Sequence, residues 1–169
     1  MHHLGLTRSS LKPDHLLQTP NTFIRTPLPG ASGVDFIVHV GPQLGAQFTQ
    51  MTAEFAAGGT LGPTPAQRFL YVLEGELELT ADGRQHTLSA GGFAYLPQGA
   101  THRVRATVKA RAAVIEKLYE SEEGEPTPSV VVGTESAIAP VASKTKPCVR
   151  INMGKPPKSL VDHYYQLMN

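Results

Sequence analysis

The chain has 169 residues, 40% of them hydrophobic, and this length and composition predict a single globular core. Its 15 basic and 14 acidic residues leave a formal charge of +1, which gives no electrostatic reason to expect nucleic acid as a partner. No run approaches the roughly 20 apolar residues that cross a bilayer, so no membrane span is expected. The 14 prolines and the absence of tryptophan favour a loop-rich all-β fold over a helical one.

Residues 1–33 are predicted to form an irregular arm that packs outside the main domain. Its prolines prevent a long helix, and its histidines are too scattered to form a set of metal ligands. The amino terminus has no charged-then-apolar-then-small pattern, so no signal peptide is expected. The single cysteine, Cys148, cannot form an internal disulfide and fits a reducing compartment, which predicts a cytoplasmic location.

Two strands are expected next, over residues 34–40 and 47–55. In the first strand, His39 is predicted to face outward as a solvated or hydrogen-bonded side chain. The period-two rule places four apolar residues of this strand on one face: Val34, Phe36, Val38 and Val40. In the second strand, the more apolar face is predicted to pack inward: Gln47, Thr49, Met51, Ala53 and Phe55.

The stretch from Gly58 to His102 has the turn spacing of a small antiparallel barrel. After a glycine- and proline-rich approach, an apolar strand over residues 69–73 breaks at Gly75 into a strand of alternating apolar and polar residues. Asp82-Gly83 predicts a tight hairpin turn, because glycine tolerates the positive φ that such a turn requires. A proline-glycine corner then leads into His102, which alternation directs into the barrel.

A last strong strand is predicted over residues 111–119, which brings the total to about eight short strands, as in a jelly roll. These patterns divide the chain into an arm over 1–33, a barrel over 34–120, and a linker with an irregular tail over 121–169. The linker is acidic and contains prolines, and Val130-Val131-Val132 is the one strong β signal beyond it. Residues 134–169 are expected to be poorly ordered, with at most two helical turns near residues 160–168.

The glycine-punctuated corners resemble those of the cupin family, whose two sequence motifs flank a variable loop. The second motif is matched at four positions and departs at Ala106, where the family usually has asparagine. These positions are Gly91, Pro97, Gly99 and His102. The first motif keeps only its scaffold, with Gly59 opening it and Gly75 closing it. The resemblance implies a single double-stranded β-helix barrel.

A narrower resemblance, to the (S)-ureidoglycine aminohydrolase family, covers roughly residues 1–133. These proteins are glyoxylate-induced bicupins of purine and allantoin breakdown, and the chain resembles their amino-terminal cupin half. The segments that carry the resemblance are Leu44 to Gln50, Gln67 to Gly75, Tyr95 to Pro97 and Glu116 to Tyr119. The family's activity is the release of ammonia from (S)-ureidoglycine to give (S)-ureidoglycolate.

The resemblance implies that manganese and catalysis belong to a second barrel, which this chain is expected to lack. Three metal-ligand positions of the first motif fall here on Gly62, Thr64 and Arg68. Glycine offers no donor side chain, threonine binds divalent ions poorly and a guanidinium repels them. One remaining imidazole, His102, is too few ligands. No catalytic residue, metal or cofactor is therefore expected in this chain.

The ligand-binding candidates are Arg68, Tyr71, Tyr95 and His102. His102 has two interpretations: it binds a small anion beside Arg68, or it is a buried histidine bonded to a backbone carbonyl, Tyr71 or Tyr95. Buried polar groups usually find internal partners, which favours the second interpretation.

Three functional hypotheses stay open at this point. The chain is part of a manganese-dependent aminohydrolase and is itself weakly active or inactive; or it is a metal-free structural module; or it binds a small carboxylate or ureido compound. The structural module would form a homo-oligomer or pair with a second cupin barrel through its sheet edges.

Overall fold

The structure is a computed structural model that describes residues 9–12, 15–120, 128–138, 141–142 and 149–150. The expected helical turns near residues 160–168 and most of the expected linker and tail lie outside these described residues. Among the described residues, no helix has the length and apolar character needed to cross a membrane.

Fourteen strands make up the described secondary structure, together with short 3-10 turns at Pro20–Thr22, Pro42–Leu44 and Glu135–Ala137. In chain order the strands are β1 (Ser10–Leu11), β2 (Leu16–Leu17), β3 (Arg25–Thr26), β4 (Ala31–Val40), β5 (Thr49–Leu61), β6 (Gln67–Glu74), β7 (Glu76–Ala81), β8 (Arg84–Ser89), β9 (Gly92–Leu96), β10 (His102–Ala106), β11 (Ala110–Lys117), β12 (Val131–Thr134), β13 (Val141–Ala142) and β14 (Val149–Arg150).

Ten of these strands form one antiparallel sheet that curls into a nearly closed barrel. Within the sheet, neighbouring strands follow the order β12-β9-β6-β11-β5-β10-β7-β8, and β4 pairs with β5 and with β3. The all-β jelly-roll fold predicted from the sequence is thereby confirmed. Among the described residues of the expected irregular arm, the two-residue strands β1, β2 and β3 and one 3-10 turn precede β4, which begins at Ala31, three residues earlier than the predicted barrel.

The core fills the barrel with the inward side chains of alternate strand residues. In β7, Leu77 and Leu79 are fully buried, while Glu76 and Glu78, which alternate with them, are only partly buried on the outer face. The inward face predicted for the strand before Phe55 is confirmed at Met51 and Ala53, which are also buried. A period of two therefore predicted the inward side chains wherever a strand runs without irregularity.

Strand β4 departs from that simple alternation. Val34 and Phe36 face the core, but Val38 is 39% exposed, while Ile37 is only 2% exposed. The pairing of β4 with β5 shifts register between Ser32 and Val34 and again between Val38 and Val40. The register is unbroken from Val34 to Val38, and Val38 stands opposite the buried Met51, so it lies on the predicted face although it is exposed. The second shift places Val40 opposite the exposed Gln50, so the prediction that Val40 shares this face was wrong, because a β-bulge interrupts the alternation.

Strand β5 continues to Leu61, past the end predicted at Phe55, and connects the two sides of the barrel. Its first half pairs with β11 and its last two residues pair with β10. Between them the backbones of Gly59 and Gly33 lie so close that a Cβ at Gly59 would overlap the Gly33 carbonyl oxygen. Glycine permits this close approach, so the glycine-rich segment is a bend inside a strand and not a loop.

Residues 128–138 are attached to the barrel. Strand β12 pairs with β9 from Val131 opposite Tyr95 to Thr134 opposite Gly92, and a Cβ at Gly133 would overlap the ring of Phe93. Val130 and Val132 pack against the core. The β signal read in this segment is therefore confirmed, and the strand extends the barrel sheet beyond residue 120.

Gly75 provides a test of the tight turn between β6 and β7. Its φ is +79°, and an added Cβ would overlap the carbonyl oxygen of Lys109. Gly99, with φ of +80° and open space around it, is the matched control. We expect Gly75→Ala to lower the free energy of unfolding by at least about 2 kcal/mol more than Gly99→Ala, because backbone overlap adds to the conformational cost. Similar losses in urea unfolding of both variants would show that the close approach is unimportant.

Candidate functional site

The candidate site lies inside the barrel, where strands β6, β10 and β11 bring three polar side chains together. Arg68 and His102 are each 4% exposed, and within the described residues they are the two buried side chains that are polar or charged. Arg68 shares the inward face of β6 with Leu70 and Val72. Glu116 on β11 stands directly opposite Arg68 in the strand register, so the two side chains meet.

Arg68 is held on several sides by internal partners. Its Nε and Nη2 lie 2.7 Å and 2.6 Å from Oε1 of Glu116. Its Nη1 donates to the carbonyl oxygen of Gly62 at 2.7 Å and approaches Nε2 of His102 to 2.9 Å. A guanidinium is always protonated, so the carboxylate of Glu116 supplies the charge that a buried cation needs.

His102 is neutral in this arrangement, with its proton on Nδ1. Nδ1 lies 2.9 Å from the carbonyl oxygen of Ala100, which can only accept, while Arg68 can only donate to Nε2. Burial lowers the pKa of His102, and the nearby positive charge of Arg68 also lowers it. The structural interpretation of His102 therefore fits its contacts, with Ala100 as the backbone partner and neither tyrosine involved.

The other two predicted site residues, Tyr71 and Tyr95, lie on the outer face of the sheet and do not meet Arg68 or His102. The Tyr71 hydroxyl donates to the carboxylate of Glu135, a contact that raises the Tyr71 pKa. The Tyr95 hydroxyl donates to Oε1 of Gln67 at 2.8 Å, and burial raises the pKa of Tyr95 to about 12. Strand alternation explains the separation, because each tyrosine is an odd number of residues from an inward neighbour.

Glu116 is the residue of this site that sequence reasoning missed. It lies two and four residues beyond Val114 and Ala112, which are both buried and inward-facing. The same alternation therefore places Glu116 on the inward face of β11. A charged residue in an inward register is the signal that would have identified it, because a buried carboxylate requires a partner.

A cavity of about 100 Å³ lies at one end of this cluster. Most of its lining residues are apolar, and Thr64, Arg68 and Glu116 are the polar ones. Leu28 and Pro29, from the connection between β3 and β4, also line it. The cluster is thus in contact with a space that a small molecule can enter.

The residues present do not fit a metal at the ligand positions of the first cupin motif. The Gly62 carbonyl accepts from Arg68, and the Thr64 hydroxyl oxygen accepts from the backbone N–H of Ala66 at 3.3 Å. Across the residues that the structure describes, no three His, Cys, Asp or Glu side chains form a group able to hold a metal ion. A fixed guanidinium at the third position would also repel a divalent cation.

Substitution of Glu116 tests the charge balance of the cluster. Glu116→Gln removes the carboxylate beside a guanidinium that is only 4% exposed, so we expect the free energy of unfolding to fall by about 2–3 kcal/mol. The control is Glu78→Gln, because Glu78 contacts the 55% exposed Arg105 at 3.5 Å and such surface pairs contribute at most about 1 kcal/mol. Equal losses in urea unfolding would contradict a buried, charge-compensated pair.

The lowered pKa of His102 predicts a dependence of stability on pH. The unfolded chain takes up a proton at the ordinary histidine pKa, whereas the folded chain does so only at lower pH. Stability should therefore be highest above about pH 6.5 and fall as the pH drops below this value, by up to about 1.4 kcal/mol per pH unit for one group.

The variant His102→Gln should show a shallower fall between pH 7 and 5, since it lacks that titrating group. Part of the fall should remain, because burial also lowers the pKa of His39. Urea unfolding at several pH values measures both slopes, and identical slopes in the two proteins would contradict the assignment.

Comparison with known proteins agrees with this fold. A family model described as a cupin domain matches residues 51–116. The crystal structure of protein Ylba from Escherichia coli aligns with a TM-score of 0.77 at 24% identity and covers 90% of this chain and 62% of that one. At this level of identity the likeness concerns the fold alone.

Two curated relatives carry the more specific similarity. A rice (Oryza sativa subsp. japonica) protein named "Probable (S)-ureidoglycine aminohydrolase" is 33% identical over 133 residues, 77% of this chain and 43% of that protein. The (S)-ureidoglycine aminohydrolase of Arabidopsis thaliana is 31% identical over 134 residues, 77% of this chain and 44% of that protein. The chain thus spans less than half the length of these relatives. It has a cupin barrel, and the resemblance read from its sequence is confirmed as a similarity to part of the (S)-ureidoglycine aminohydrolases.

Proposed function

We propose that this chain is a non-catalytic, amino-terminal barrel of the (S)-ureidoglycine aminohydrolase type. In this proposal the reaction takes place in a second, manganese-containing barrel, where water replaces the amino group of (S)-ureidoglycine and ammonia leaves. The product is (S)-ureidoglycolate, in purine and allantoin breakdown. The relatives are more than twice as long as the matched segment, which favours a supporting role for this barrel and a catalytic role for another.

The observation that carries the proposal is that Arg68, Glu116 and His102, the Arg68 cluster, hold the arginine by bonds inside the protein. In this barrel the guanidinium is paired with Glu116 and bonded to Gly62 and His102. The side chains of the cluster do not form a set of metal ligands. His102 is neutral, and both of its ring nitrogens are hydrogen-bonded. Such a centre stabilises a fold, and its arginine and histidine offer neither a Lewis acid nor a free base to a reaction.

The role proposed for such a barrel is to support a catalytic partner, either a second cupin barrel or further copies of the chain. Strands β8 and β12 end the sheet order of the described residues, and in this proposal their outer edges pair with another strand. Strand β12 carries Val131 and Val132 and has no charged residue, which suits it to pairing. We place the protein in the cytoplasm, as its single cysteine predicts.

A second candidate function is the binding of a small molecule. The cavity beside Arg68 and Glu116 favours it. This function does not require catalysis and is compatible with a supporting role.

Assays on the purified chain test the principal proposal. With (S)-ureidoglycine and added manganese, we expect ammonia release at the uncatalysed rate and less than about 0.1 manganese ion per chain by elemental analysis, because three protein ligands are the usual minimum for a tightly held ion. The Arabidopsis relative, assayed in parallel, is the positive control. Manganese-dependent turnover by this chain, or a stoichiometric bound ion, would overturn the proposal.

A further inference from the structure

We propose that the cavity at the Arg68 cluster binds a small neutral molecule of the amide type and discriminates against carboxylates. The inference concerns binding only and does not depend on the proposed place of the chain in an aminohydrolase. It rests on the size of the cavity and on the charge balance of its floor, which we define as its polar lining residues Thr64, Arg68 and Glu116. It also rests on two polar groups there that have hydrogen-bonding capacity left for a ligand.

The size of the cavity limits the ligand. A cavity of about 150 Å³ accommodates benzene, so the present volume of about 100 Å³ suits a molecule of roughly four or five non-hydrogen atoms. Its wall includes Leu28, Pro29, Met51 and Leu61, which favour a ligand with an apolar part. The polar part of the ligand must then face Thr64, Arg68 and Glu116.

The charges at the floor argue against an anion. Arg68 would attract a carboxylate if its charge were free, but both its Nε and its Nη2 lie within 2.7 Å of the Glu116 carboxylate. His102 adds no positive charge, because its pKa is lowered and its Nε2 faces Arg68. The floor is therefore close to neutral, and a bound anion would lose its hydration without gaining a counter-ion.

Two polar groups, Oε2 of Glu116 and the hydroxyl proton of Thr64, are left to form hydrogen bonds with a ligand. Oε1 of Glu116 contacts Arg68, whereas Oε2 accepts no hydrogen bond within the described part of the chain, and the side chain is 20% exposed. The Thr64 hydroxyl oxygen accepts from Ala66, and its own proton has no acceptor among the described residues. A primary amide matches this pair, because its N–H can donate to Glu116 while its carbonyl accepts from Thr64.

Acetamide and acetate form a matched pair of probes, since they have the same shape and differ in charge and in hydrogen-bond donors. Each is titrated into the full chain, and the backbone amide signals of Gly62 and Glu116 are followed by NMR. We expect saturable shifts with acetamide at millimolar concentration and at least tenfold weaker binding of acetate. Equal or stronger acetate binding, or no saturable shift with acetamide up to about 100 mM, would overturn the proposal.

Two variants separate charge from shape. Glu116→Gln leaves the Arg68 charge uncompensated, so the order should invert, with acetate binding at least tenfold more tightly than it does to the parent chain. Leu28→Phe places a larger side chain in the cavity and should abolish acetamide binding, while the charges of Arg68 and Glu116 are kept. This variant still tests the proposal if Glu116→Gln does not fold. Unchanged acetamide binding to Leu28→Phe, or no gain in acetate binding by a folded Glu116→Gln, would each contradict the site.

Discussion

The structure depends on one constraint, which is that a guanidinium placed inside a barrel cannot lose its proton and must be paired. Arg68 meets this constraint through Glu116, the Gly62 carbonyl and His102. The pairing determines the tautomer of His102, because an arginine can only donate to Nε2. It also occupies one of the positions, Arg68, where the first cupin motif would otherwise have a metal ligand. Charge balance, histidine protonation and the unsuitability for a metal thus have a single physical origin.

The barrel geometry makes this pairing unavoidable. Strands β6 and β11 are direct neighbours, and their register puts Arg68 opposite Glu116. The bend of β5 at Gly59 lets that strand leave β11 and pair with β10, which carries His102. The backbone therefore brings the three side chains to one place, and the glycines permit the curvature that this requires.

Much of this could be predicted from the sequence, because regular alternation is a local property. The jelly-roll class, the inward direction of His102 and the buried faces around Leu77 and Met51 all followed from period two and from glycine-marked turns. Glu116 was within reach of the same reasoning, since it continues the inward register of Ala112 and Val114.

Other features depend on contacts between distant segments and could not be predicted from the sequence of one strand. The turn of Val40 away from the face of Val34 and Phe36 depends on a register shift against β5, which is a relation between two strands and leaves no signal in one of them. The continuation of β5 through Gly58 and Gly59 depends on a partner strand that satisfies its backbone. The separation of Tyr71 from Arg68 was within reach of alternation, but the partner of Tyr71, Glu135, comes from a distant segment and could not be predicted from the strand.

The central claim is that Arg68 and Glu116 stabilise each other inside the barrel, and a double-mutant cycle measures this coupling most directly. The free energies of unfolding of the parent chain, Arg68→Met, Glu116→Gln and the double variant give the coupling energy without the separate effect of each substitution. We predict that the double variant is more stable than the sum of the single losses implies, by about 2 kcal/mol. Additive losses, within about 0.5 kcal/mol, would contradict the account.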